Sequence, residues 1–375
     1  MKKVMVFGAG LIGGFIANQL NKKYEVVALD SKIPHVRNLD KKVKNIQKRL
    51  KFHTYYIDEE NSPYWRAAAE EIERYDPDIV VNAFPGNLGY YVLEASVRSS
   101  KNIVDIAFMP EDPLVLNEKA VENGVTAVVD FGFAPGMCHM FVGRANKLLN
   151  KHDESVICVG GLQLDSDDYK AVFSPVDVIQ EYIRPARYTK DYKVEIEEPF
   201  ENNYECELQI GDQSILFSGF ISDGLRTLLR SLDVRTVIEI TLRTPKHFEF
   251  IQRLKENGFF KKEHLENTSK VLVDAWKMTE EDRDFSILYV TSKGDGKEIT
   301  HYMYDEYDEE TKTHSMARAT GLPAIAMVEA ILEGKYTEKG VIPPEYVAKN
   351  DEIYNFVVEY LEKHGITITE EEAEE

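Results

Sequence analysis

"KVMVFGAGLIGGFIANQL", residues 3–20, decides the architecture of the N-terminal half of the chain. Its first residues read as a buried strand, glycines at 8, 10 and 13 interrupt that strand, and the apolar residues beyond them recur at helical spacing. Each glycine in this strand–turn–helix has a physical reason. Gly8 permits a tight turn, Gly10 lets the backbone approach a pyrophosphate, and Gly13 allows the helix to pack closely on the strand. Leu11 and Ile12 then open a helix whose unpaired N–H groups and dipole favour an anion. "EVVALD" (25–30) supplies the next strand and ends in Asp30, 20 residues after Gly10. A carboxylate there accepts hydrogen bonds from both ribose hydroxyls and repels a 2′-phosphate, so the pattern predicts NAD in preference to NADP. The opening "MKK" and apolar run also imitate a signal peptide, but the glycine spacing and the strand that follows favour the nucleotide turn.

Working outward, strand-like and helix-like segments keep alternating. "NIQKRLKFHTYYID" (45–58) predicts a strand near its end, "SPYWRAAAEEIERY" (62–75) a helix and "PDIVVNAFPG" (77–86) a buried strand. "GYYVLEASVRSS" (89–100), "KNIVDIAF" (101–108), "PLVLNEKAVENG" (113–124) and "VTAVVDFG" (125–132) continue as helix, strand, helix, strand. Parallel strands need crossover helices, so this alternation predicts an α/β fold, a Rossmann-type parallel sheet over residues 1–134. Ligands of such sheets sit beyond the carboxyl ends of the strands. Asn82, Ala83, Phe84 and Pro85 are therefore expected to line the cofactor, with Asp105 and Phe108 either facing the same cleft on the substrate side or simply terminating their strand. Asp58 either reaches the adenine side or caps a turn.

After Gly136 the pattern turns to runs of strands ("SVICVGGLQL", "YECELQI", "TVIEITLR", "FSILYVTSKG") broken by the helix "HFEFIQRLKENGFF" (247–260). This predicts an α+β domain on a mostly antiparallel sheet over residues 135–317. Residues 318–375 read as a helical segment returning to the first domain and ending in a frayed acidic tail.

A chain of 375 residues exceeds the roughly 250–300 at which single cores stop growing, which also argues for two domains. The 65 acidic residues against 45 basic ones give a formal net charge of −20, unsuited to nucleic acid or to an anionic membrane. No apolar run approaches the ~20 residues of a transmembrane helix. Cys138, Cys158 and Cys206 are widely spaced and odd in number, which suggests neither a disulfide framework nor a thiolate metal cluster, and a cytoplasmic location is expected. The nine histidines show no metal-binding spacing, so no metal is expected.

"VFGAGLIGG" (6–14), "VVNAFPG" (80–86), "DFGFAPGM" (130–137), "VFSPVDVIQEYIRPAR" (172–187), "SDGLRTLL" (222–229) and "TLRTPKHFEF" (241–250) together resemble the saccharopine dehydrogenase (reductase) and L-lysine 6-dehydrogenase family, closest to its lysine 6-dehydrogenase-like branch. The resemblance implies a homodimeric, nicotinamide-dependent oxidoreductase acting on an amino-acid-derived amine. In the favoured case L-lysine is deaminated at its ε-amine to Δ1-piperideine-6-carboxylate, with ammonia and NADH. A saccharopine or carboxynorspermidine reductase is the alternative enzyme, and a non-catalytic NAD-sensing protein is the alternative from another class.

Oxidising a primary amine by hydride transfer first requires its deprotonation, because an ammonium has no lone pair to support the developing cation. His139 and Asp130, behind the last strand of the nucleotide sheet, are the candidate proton-handling groups. His139 stands equally as a structural histidine, and Asp130 as the carboxylate that orients the substrate amine or as a strand-end cap. Arg226, Thr241 and Arg243 resemble substrate-contacting positions of the family, where an arginine fork suits an α-carboxylate. His247 is either a further site member or a helix-start residue, and Arg184 and Arg187 either ligands or surface ion-pair partners.

Overall fold

The computed structural model describes residues 1–31, 40, 42–47, 63–164, 166, 169–279 and 281–374. Its strands, in chain order, are β1 (Lys3–Phe7), β2 (Glu25–Asp30), β3 (Lys44–Gln47), β4 (Ile79–Asn82), β5 (Asn102–Asp105), β6 (Thr126–Val128), β7 (Glu154–Gln163), β8 (Ala186–Lys190), β9 (Lys193–Glu197), β10 (Tyr204–Ile210), β11 (Gln213–Ile221), β12 (Thr236–Arg243), β13 (Asp284–Gly294), β14 (Lys297–Glu306), β15 (Gly340–Ile342) and β16 (Thr367–Glu374). They divide between two compact units. The first comprises Met1–Met140 and Ala317–His364, the second Phe141–Met316 and Gly365–Glu375.

The first unit holds a seven-stranded sheet in the order β15-β6-β5-β4-β1-β2-β3, parallel at every junction. Its central strands are continuous apolar runs because both faces are covered by helices. Met5, Phe7, Val80, Ile103 and Ala127 are fully buried in one cluster with residues of the helices Pro63–Tyr75 and Gly86–Arg98. The larger of these side chains, Met5, Phe7, Val80 and Ile103, each stabilise the fold by roughly 1.5–3 kcal/mol relative to exposure. The strand expected at residues 54–58, like Asp58 itself, lies outside the described residues, and β3 occupies the edge beside β2. The opposite edge is β15, which pairs with β6 from Gly340↔Thr126 to Ile342↔Val128. "GVI" is too short to read as a strand alone, and only the edge it completes explains it. One helix among the described residues, Ser315–Leu332, is long and apolar enough to cross a membrane, and 83% of it is buried inside the fold.

The second unit carries a sheet in the order β10-β11-β12-β7-β13-β14-β16, with β8 and β9 attached beside β12. Pairing is antiparallel except between β12 and β7. Alternation along the strands separates two cores. Phe217 joins Cys158, Leu162, Ile240 and Ile287 on one face, while Phe220 joins Tyr182, Phe248, Ile251 and Trp276 with the helices on the other.

The acidic tail is not frayed. Residues 367–374 form β16, paired with β14 from Tyr304↔Thr367 to Lys297↔Glu374. The reason is charge matching: Lys297 meets Glu372 at 2.5 Å, and Glu370 takes His301 Nε2 at 3.0 Å and Arg144 at 3.4 Å. The His301 hydrogen bond holds the Glu370 carboxyl down at about 2.

Candidate functional site

In the first unit, the carboxyl ends of the parallel strands bring most of the expected cofactor residues together. Phe7 pairs with Leu29 on one side and Asn82 on the other, and Asn82 pairs with Asp105. The turns after these strands therefore lie side by side. Gly8 has φ +93°, and a Cβ there would run into the Ala83 carbonyl; a Cβ on Gly13 would run into the carbonyl of Gly8. Gly10 differs, since a Cβ on it would meet nothing within 4 Å. Two glycines let protein approach protein, and the third faces open space where a ligand backbone can come close. The helix Leu11–Leu20 starts at Gly10 with no side-chain cap, and Leu11 is exposed at its mouth. Its first N–H groups are thus suited to a phosphate. Beside them the backbone N–H of Ala9 donates to Asp30 Oδ2 at 2.7 Å. A glycine turn that leaves room, an uncapped helix start and a carboxylate at the end of β2 fit a dinucleotide.

Asn82 and Asp105 are buried and turn their side chains to the protein. Asn82 Nδ2 donates to Asp105 Oδ2 at 2.8 Å and to the Gly89 carbonyl at 2.9 Å, and its Oδ1 accepts from the Phe84 N–H at 3.3 Å. Asp105 Oδ1 accepts from the Ala107 N–H at 2.7 Å. The pair shapes the loops that carry Ala83, Phe84, Pro85 and Phe108. Phe84 meets Phe7 edge-on at 5.7 Å, and Phe108 lends its carbonyl to the close approach at Gly86.

Asp130 sits in the left-handed region at φ +52° and is 1% exposed. Such backbone in a non-glycine residue marks a place where the surrounding structure imposes the conformation. Five residues on, Ala134–Pro135 is a cis peptide, and Gly136 folds back onto Gly132. The helix Met137–Leu148 follows, with Cys138 and His139 fully buried in its first turn. His139 Nδ1 lies 3.0 Å from Cys138 Sγ and 3.5 Å from the Gly136 N–H. The Gly136 N–H can only donate, so it favours the tautomer in which Nδ1 accepts.

The remaining candidates belong to the second unit. Glu239, Thr241 and Arg243 alternate along β12 and so share one face. Arg243, 2% exposed, donates to Tyr182 Oη at 2.8 Å, to the Leu242 carbonyl at 2.8 Å and to Glu181 at 2.9 Å. Tyr182 Oη also meets His247 Nε2 at 2.9 Å, and His247 stacks on Tyr169 at 3.8 Å. Burial, with the Arg243 charge, pushes the His247 imidazole down to about 2, so it is neutral. Thr241 donates to Ser222 at 2.8 Å, and Ser222 donates to Glu239 Oε1 at 2.8 Å. Arg226, half-buried at φ +49°, follows the same Ser222 turn. Arg187 forms a two-pronged pair with Asp223 at 2.8 and 3.1 Å, joined by Arg184 at 3.6 Å, which is the ion-pair alternative for these two arginines. Glu239, Ser222, Glu181, Tyr182 and Tyr169 were absent from the sequence expectation. Two steps of two back along "EITLR" from Arg243, through Thr241, would have reached Glu239, whereas the Tyr169 and Tyr182 contacts had no sequence signal.

Two family models cover nearly the whole chain. "Saccharopine dehydrogenase NADP binding domain" matches residues 4–128, and "Saccharopine dehydrogenase C-terminal domain" matches residues 132–366. The chain belongs to the saccharopine dehydrogenase family. Among curated proteins, the mitochondrial alpha-aminoadipic semialdehyde synthase of Rattus norvegicus is 24% identical over 203 residues, 52% of this chain and 21% of the rat protein. The Bos taurus protein of the same name is 27% identical over 126 residues, 31% of this chain and 14% of its own length. The match thus spans about a fifth or less of these relatives. Among solved structures, apo saccharopine dehydrogenase (L-Glu forming) of Saccharomyces cerevisiae superposes over 100% of both chains with a TM-score of 0.75 at 18% identity, which shows a shared fold. Membership of this family accounts for the α/β pairing of a nucleotide-binding sheet with a second, mixed sheet.

Proposed function

We propose that this member of the family is an NAD-dependent oxidoreductase that deaminates an amino acid, with L-lysine oxidised at its ε-amine to Δ1-piperideine-6-carboxylate, ammonia and NADH. The observation that supports the NAD-dependent part of the reading is Asp30, fixed by the Ala9 N–H at the end of β2, beside the open turn at Gly10. The matching nucleotide domain is described as NADP-binding, but a carboxylate at this position favours two ribose hydroxyls over a 2′-phosphate. NAD is therefore the proposed cofactor, and when bound it supplies the hydride acceptor.

The protein's own part is to bind the substrate carboxylate and to handle protons. Arg226 and Thr241 are proposed to receive the substrate, and the fork of Arg243 would be shared between substrate and Glu181. Asp130 is proposed to take the ammonium proton, because the Gly136 N–H faces His139 Nδ1 and favours hydrogen on Nε2. His139 then serves as a donor at Nε2. Hydride loss from the neutral amine leaves an iminium, whose hydrolysis releases ammonia and an aldehyde that closes on the α-amine. A homodimer in the cytoplasm completes the proposal.

A second reading, saccharopine formation or cleavage, draws on the name of the yeast enzyme that shares the fold. The test is a pair of assays on the purified protein: NADH appearance with L-lysine and NAD, and NAD(P)H consumption with glutamate plus the lysine semialdehyde. Turnover in the first alone is expected. Saccharopine formation in the second, with no reaction in the first, overturns the deaminase reading in favour of the second. Binding of NAD with no turnover of any amine or amino acid overturns both.

A further inference from the structure

Cys158 on β7 and Cys206 on β10 are separated by 48 residues, and by β11 and β12 in the sheet order, yet their sulfurs lie 3.3 Å apart. They meet because β10 folds over the face that carries Cys158. Tyr204, Cys206, Leu208 and Ile210 alternate along β10 and pack into one cluster with Cys158, Leu162 and Ile240. Gly219 on β11 makes this fold-over possible, since a Cβ there would run into the Ile240 side chain. Cys206 is half-buried and Cys158 is 6% exposed, so Cys206 is the less enclosed of the two residues.

We propose that Cys158 and Cys206 form a covalent modification site, oxidised to an intrachain disulfide by low-molecular-weight disulfides of the glutathione type. The Cys206 thiolate attacks the small disulfide, forming a mixed disulfide and releasing one small thiolate. Cys158 then attacks the Cys206 sulfur, its proton passing to the second small thiolate as that leaves. Two protein thiols are oxidised and one small disulfide is reduced to two small thiols. The order follows from burial, because Cys206 is the more exposed residue of the pair. The thiol hydrogen bond favours the same order: it pushes the Cys158 thiol up, together with burial, and holds Cys206 below its ordinary value. Closing 3.3 Å to a covalent S–S length takes roughly 1.3 Å of approach. The bond would fasten β10 to β7 across the folded-over face and close a long loop, which narrows the unfolded ensemble.

The experiment treats the native full chain with oxidised glutathione, counts free thiols with Ellman's reagent and maps the linkage by mass spectrometry under non-reducing conditions. The expected result is loss of two of the three thiols, a mass lower by two hydrogens, a Cys158–Cys206 linked peptide and an upward shift in unfolding temperature that dithiothreitol reverses. Cys138→Ser should leave this outcome intact, whereas Cys158→Ser should stop at a stable glutathione adduct on Cys206. Cys206→Ala serves as the partner control if Cys158→Ser folds poorly, and should retain both remaining thiols. A linkage involving Cys138, a persistent adduct on Cys206 in the unmutated chain, or three free thiols in native protein whose denatured chain oxidises readily would each overturn the proposal.

Discussion

The backbone N–H of Ala9 donates to Asp30 Oδ2 at 2.7 Å, tying the glycine turn after β1 to the end of β2. The carboxylate thus holds the turn, and under the proposed function it also faces the cofactor ribose. Asp30→Ala should weaken NAD binding on the order of tenfold or more, in line with losing charge-assisted hydrogen bonds. It should also raise the affinity for NADP relative to NAD. Fluorescence titration with the two reduced cofactors measures both, and an unchanged preference would remove Asp30 from the ribose-reading role.

Gly8 and Gly10 separate folding from binding within one turn. Gly8→Ala places a methyl against the Ala83 carbonyl at φ +93° and should lower the unfolding temperature. Gly10→Ala has open space for its methyl and should leave that temperature nearly unchanged while reducing cofactor affinity. Thermal unfolding with and without NAD distinguishes the two. Equal destabilisation by both substitutions would contradict the assignment of Gly10 to the ligand side.

Glu239 is buried with Oε1 accepting from Ser222, and burial pushes its carboxyl up to about 8. The folded protein therefore keeps this acid protonated at neutral pH, while the unfolded chain ionises it from the ordinary carboxylate range upward. The stability this group contributes is complete below the unfolded pKa and is lost as pH rises through about 8, with a slope of up to about 1.4 kcal/mol per pH unit in the window between. Glu239→Gln should flatten the dependence of urea-unfolding stability on pH across that window. An identical slope in the variant would show that Glu239 is ionised in the folded state.

The nucleotide half was legible because its information is local. Gly8, Gly10, Gly13 and Asp30 sit at fixed spacings on a strand, a turn and a strand, and each spacing has a steric or electrostatic cause. The edge strand β15 and the acidic strand β16 were not, since both depend on partners more than 60 residues away: Thr126 to Val128 for the first and Lys297, His301 and Arg144 for the second. The same limit hid the meeting of Cys158 with Cys206 and the enclosure of Arg243 by Tyr169 and Tyr182. An arginine in a strand signals a charge, but what pairs with it is decided by tertiary packing.

Arg243 is where substrate binding and structural support make different forecasts. Its guanidinium is almost wholly buried and donates to Glu181, Tyr182 and the Leu242 carbonyl, with aromatic rings of Tyr169, Tyr182 and Phe220 within 6 Å of its centre. Removing it leaves the Glu181 carboxylate and a buried hydroxyl without their donor, so Arg243→Ala should cost about 3 kcal/mol or more in urea unfolding. Arg243→Lys keeps the charge but not the planar fork, so it should restore only part of that stability. Adding Glu181→Gln to Arg243→Ala should recover some of the loss, because the unpaired charge goes with it. If the arginine also holds the substrate carboxylate, Arg243→Lys will raise KM for the amino acid while leaving NAD affinity unchanged. A variant whose KM stays at the unmutated value while its stability falls would confine Arg243 to the internal network with Glu181 and Tyr182.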